Sequence, residues 1–71
     1  MASLEREQNL IIVAAVEGYS REHGITPLET FELFRRHDMF KVLRRNFDAL
    51  HTQDLFEGAR FAHDYLARQA A

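Results

Sequence analysis

Apolar residues recur along this chain at the three- and four-residue steps of a helix, and nowhere in the alternating manner of a half-buried strand. The pattern predicts four helices. The first starts after Ser3 and runs to about His23, with Gly24 as its C-terminal stop. Thr26-Pro27-Leu28-Glu29 predicts the next start: Thr26 caps, Pro27 suits the first helical position and Glu29 reaches back to close a capping box. That second helix is short and ends near Arg36. Asp38 is expected to cap a third, from Met39 to about Leu50, and Thr52 a fourth, from Gln53 to about Gln69. No linker, repeat or low-complexity stretch interrupts them. The expected fold class is all-α, a small four-helix bundle forming a single domain over residues 1–71.

At 100° per residue the third helix gathers Met39, Phe40, Leu43, Phe47 and Leu50 on one side and Lys41, Arg44, Arg45 and Asp48 on the other. The last helix carries a stripe of Leu55, Ala59, Ala62 and Leu66, whose alanines invite close approach by a neighbour, and Phe31 and Phe34 are the contribution of the second. Two features do not fit single buried faces. On the first helix Leu4, Ile11, Ile12, Ala15 and Tyr19 form one face, yet Leu10, Val13 and Ala14 point away from it, among Arg6, Glu17 and Arg21. On the last, Gly58, Phe61 and Tyr65 line up on a second side. A contiguous apolar surface of this kind marks association; the alternative is that the first helix is central in the bundle and Phe61 lies flat on the surface.

Size narrows the function. A chain of 71 residues has a thin core, and a cleft enclosing a substrate would consume it. Cysteine is absent, which removes disulfides and thiolate zinc sites. The longest apolar run, Leu10 to Val16, is too short to cross a bilayer and follows Glu5, Arg6 and Glu7 rather than a basic leader, so a cytoplasmic protein with no membrane association is expected.

Charge is uneven. Residues 1–34 are acidic, residues 35–45 hold Arg35, Arg36, Lys41, Arg44 and Arg45 against Asp38 alone, and the remainder is again acidic, for a net charge of −2. A nucleic-acid binder shows a broader basic excess, so this centre suits local pairing, Glu32 with Arg36 and Arg44 with Asp48, or an acidic protein partner. None of His23, His37, His51 and His63 is spaced four residues from another, so no metal site is expected. A phosphate loop, a nucleophile elbow and paired buried carboxylates are all missing, so neither catalysis nor a cofactor is expected.

The polar corner His51-Thr52-Gln53 reads first as a helix-to-helix junction capped by Thr52, and second as a contact for a partner's acidic group. Leu50-His51-Thr52-Gln53, preceded by Phe47-Asp48, resembles the signature of the short bacterial proteins grouped as domain of unknown function 3791. Glu17-Gly18-Tyr19 is similar to the close of that family's apolar first helix, and Phe31-Glu32-Leu33-Phe34-Arg35-Arg36 to its middle segment. The resemblance covers roughly residues 8 to 67 and departs in the last helix, where Gly58-Ala59-Arg60-Phe61-Ala62-His63 replaces a more acidic stretch. It implies no catalytic residue. Family genes often lie beside a second small family resembling ADP-ribosyltransferases, which implies the partner half of a toxin–antitoxin-like pair.

The expectation is therefore a bacterial protein-interaction module that occludes a partner. Leu10, Val13, Phe61 and Tyr65 supply the buried contact, Arg44 and Arg45 the electrostatic register, and His51 and Gln53 the polar corner. Two alternatives stand beside it: a small DNA-binding regulator using the third helix, and a homodimer whose exposed helix faces meet across a two-fold axis.

Overall fold

A computed structural model describes residues 2–50 and 57–70. Within them the chain forms α1 (Ala2–His23), α2 (Pro27–Arg36), α3 (Met39–Arg45), α4 (Phe47–Leu50) and α5 (Glu57–Ala70). The fold is all-α, a small helical bundle. The proposed cap at Thr52 lies outside the described residues.

The first two boundaries follow from local chemistry. Gly24 takes φ +64°, a left-handed conformation that costs glycine little, and the Ile25 amide donates back to the Ser20 carbonyl at 3.1 Å to close α1. At the start of α2 the Glu29 amide donates to Thr26 Oγ1 at 3.0 Å while the Thr26 amide donates to Glu29 Oε1 at 2.9 Å. This is the expected capping box, with Pro27 in the first turn.

Two later boundaries differ from expectation. Asp38 makes no side-chain cap; it adopts φ 55°, ψ 31°, its amide donating to Arg35 O and its carbonyl accepting from Val42 N, both at 3.2 Å. The residue is a left-handed pivot between two helices, a conformation that aspartate tolerates better than most side chains. The expected third helix is also split. Asn46 interrupts it with φ −100°, ψ 17°, and its Nδ2 donates to Val42 O at 2.8 Å, placing a second donor on the carbonyl that the Asn46 backbone amide already uses. The Asn46 carbonyl then accepts from Ala49 and Leu50 to start α4. The split keeps most of the apolar side: Met39, Leu43, Phe47 and Leu50 are buried, Val42 joins them, and Phe40, expected among them, is half-buried at the edge of the core.

α1 is the central element and packs against each of the other four helices, most extensively against α5. The two run in the same direction, because Gly58 lies on Ala15 and Ile11 whereas His63, further along, meets His23. Ala15, Gly58, Ala59 and Ala62 are buried along this seam, so the small residues do allow close approach. Gly58 therefore belongs to the packed face and not to the second side on which helical spacing placed it. Phe34, Met39 and Leu43 fill the centre, and the buried Ser20 and Thr30 hydroxyls meet at 2.7 Å between α1 and α2. Two expected core residues are peripheral. Leu4 is exposed near the start of α1, and Phe31 lies on the rim of α2, its ring 4.8 Å from that of Phe40.

Candidate interaction surface

The face of α1 turned away from the bundle carries Leu10, 59% exposed, and Val13, 53% exposed. Their neighbours Ile11, Ile12, Ala15 and Val16 are buried, so the helix uses its opposite side entirely for the core. Centrality in the bundle does not hide Leu10 and Val13. Together with Glu5, Arg6 and Asn9 they line a shallow depression of about 340 Å³. Arg6 and Glu17 are exposed and share the helical face with Leu10 and Val13, one charge before the apolar pair and one after it.

Phe61 and Tyr65 sit differently. Both are half-buried and packed against the core, with near-parallel rings 6.3 Å apart along α5. They form the flank of α5 rather than a free ridge. Arg44 and Arg45 are exposed in the last turn of α3, where the helix dipole favours positive charge. Glu32 pairs with Arg35 at 2.9 Å, not with the Arg36 that i,i+4 spacing selected, and the Asn46 break separates Arg44 from Asp48. His51 and Gln53 lie outside the described residues. The fold thus places Leu10 and Val13 together, keeps Phe61 with Tyr65, and sets Arg44 and Arg45 on another element.

A second locus was not visible in the helical spacing. His23 Nε2 and His63 Nδ1 are 3.0 Å apart, joining the last turn of α1 to the middle of α5. The imidazole of His23 stacks on Tyr19 with ring centroids 4.0 Å apart. Tyr19 is itself buried edge-on against Phe34, and burial raises its pKa above the ordinary phenol value. Sequence separation explains why spacing rules missed the pair: the two histidines come from different helices. Among the described residues no three of His, Cys, Asp or Glu are placed to hold a metal ion, and no helix is long and apolar enough to cross a membrane.

Comparison with known proteins adds the family and little else. No curated protein matches the chain, and no solved structure does. One family model matches residues 11–54, a shorter span than the resemblance read from the sequence, ending before α5. That span takes in the buried half of α1 and all of α2, α3 and α4, well over half of the chain. The protein belongs to the family described as Protein of unknown function (DUF3791).

Proposed function

We propose that this protein is a non-enzymatic interaction module that docks a partner protein against the outer face of α1, in the manner of an antitoxin-like regulator of an ADP-ribosyltransferase-like protein. The observation that carries the reading is the exposure of Leu10 and Val13 on a helix whose other side is fully committed to the core. Covering two such side chains gains roughly 25 cal/mol for each Å² of apolar surface removed from water, with no loss to the bundle. The flanking Arg6 and Glu17 then set register and orientation. Arg44 and Arg45 extend the contact only for a partner large enough to reach α3. Occlusion needs no catalytic group.

The second reading, a homodimer, is favoured by the order of residues on that same face. When two copies of α1 pair antiparallel about an axis between residues 11 and 12, Arg6 falls opposite Glu17 of the other copy and Leu10 opposite Val13. Such a face is complementary to itself, as an isologous contact requires.

The test is co-expression with an ADP-ribosyltransferase-like protein of the kind encoded beside family genes and affinity co-purification, beside light scattering of the protein alone. A stable hetero-complex, lost in Leu10→Ser/Val13→Ser while the variant's helical circular dichroism is unchanged, supports docking on α1. Retention of the complex by that variant rejects this face. A dimer in light scattering that Leu10→Ser/Val13→Ser converts to monomer, with no hetero-complex, replaces the first reading by the second.

A further inference from the structure

We propose that His23 and His63 form a two-donor site for a borderline transition-metal dication such as Zn²⁺, Ni²⁺ or Cu²⁺, clamping the end of α1 to α5. The two nitrogens stand 3.0 Å apart. With metal–nitrogen bonds of about 2.0–2.1 Å, two donors on one ion lie about 2.9 Å apart at a right angle and about 3.3 Å apart at a tetrahedral angle. The observed separation falls inside that bite. Neutral imidazoles at this distance share one hydrogen bond, and which ring donates depends on the tautomer. With the proton of His23 on Nδ1 and that of His63 on Nε2, both facing nitrogens offer lone pairs. His63 is exposed, so the small rotation of its ring that aims both nitrogens at one ion meets little resistance.

The surroundings favour the assignment. Tyr19 holds the His23 ring by stacking at 4.0 Å with 20° between the planes, and Tyr19 is fixed by its own burial. A ligand oriented in advance loses less freedom on binding. The pair opens on a groove of about 330 Å³ lined also by Leu33, His37 and Leu66. That lining has three imidazoles and neither a carboxylate nor a thiolate, which selects borderline dications over Mg²⁺ or Ca²⁺. The remaining coordination positions are left to water. This proposal is independent of docking on α1, because Leu10 and Val13 take no part in it.

The experiment is thermal unfolding of the tag-free chain with Zn²⁺, Ni²⁺, Mg²⁺ or a chelator, beside His23→Ala, His63→Ala and His37→Ala. At tenfold excess over Kd, Zn²⁺ or Ni²⁺ is expected to raise Tm by about 5–10 °C. Mg²⁺ leaves it unchanged. His23→Ala and His63→Ala lose the rise, whereas His37→Ala keeps it. A second readout is tyrosine emission, free of tryptophan background because the chain has none. Cu²⁺ at His23 quenches Tyr19, and the chelator restores the emission by removing the ion. The assignment is overturned by the absence of any shift or quench. It is equally overturned by a shift that survives both His23→Ala and His63→Ala, or one that depends on His37 and on neither of the others.

Discussion

Thr26 and Glu29 hold the start of α2 by exchanging hydrogen bonds, and the exchange ties stability to pH. The Thr26 backbone amide, and then its side chain, hold the Glu29 carboxyl below the ordinary glutamate range. A carboxylate whose pKa is depressed by folding stabilises the native state above its unfolded pKa and loses that contribution as pH falls through its folded value. Acidification through the carboxylate range therefore weakens this cap, and Glu29→Gln removes that part of the pH dependence because its amide does not titrate, while its oxygen still accepts from Thr26. Thr26→Ala is expected to cost about 0.5–2 kcal/mol at neutral pH. Urea titrations at pH 7 and pH 3 check both points. An acid-induced loss as large in Glu29→Gln as in the native chain removes Glu29 from the explanation. Ser20 and Thr30 meet in the interior: one hydroxyl donates to the other, and the one that accepts gives its own proton to a backbone carbonyl, Val16 O from Ser20 or Thr26 O from Thr30.

Helices whose ends are set by neighbouring residues were legible in the sequence. Gly24, Thr26, Pro27 and Glu29 act within one turn, and α1 ends and α2 begins where those residues place them. Asp38 and Asn46 were not legible, because each residue type has two competing uses. Asp38 serves as a left-handed pivot instead of a side-chain cap, and Asn46 bonds back to Val42 instead of continuing a helix. Gly58 was misplaced for a different reason: which flank of α5 meets α1 depends on the crossing of two helices distant in sequence, as does the meeting of His23 with His63. The seam gives a direct prediction. A Cβ on Gly58 would stand 3.3 Å from Ala15 Cβ, tighter than comfortable packing, and 3.7 Å from Ile11 O, an ordinary contact. Alanine there gains up to about 1 kcal/mol of helix propensity and loses some of it to crowding, leaving a small net effect. Valine adds two methyl groups to the same gap, and Gly58→Val is expected to destabilise by about 1–3 kcal/mol. Chemical denaturation decides it; a Gly58→Val protein as stable as the native chain means that α5 does not lie this close to α1.

At the scale of the molecule, size governs how much any one change can do. The chain has a radius of gyration of 11.4 Å, close to the roughly 11 Å expected of a globular domain of its length. Its surface of 5053 Å² exceeds by about a tenth the value expected for a folded monomer of 8.3 kDa. Stability of roughly 0.05–0.15 kcal/mol per residue puts the whole domain at only about 4–11 kcal/mol. Phe34 is fully buried, with Tyr19 edge-on at 5.3 Å and Phe40 at 6.1 Å, so it joins α2 to α1 and α3 at once. Phe34→Ala is expected to cost about 3–5 kcal/mol, a large part of everything that holds the bundle together. Leu10→Ser/Val13→Ser, by contrast, touches side chains already more than half exposed and should stay within about 0.5 kcal/mol of the native chain for each substitution. A partner that binds only the folded form adds RT ln(1 + [L]/Kd), about 2.7 kcal/mol at a hundredfold excess over Kd. Phe34→Ala should then regain helical circular dichroism when the partner is added, whereas the Leu10→Ser/Val13→Ser protein stays folded and gains nothing. If Leu10→Ser/Val13→Ser is the one that unfolds, those two side chains belong to the core and α1 has no free face to offer.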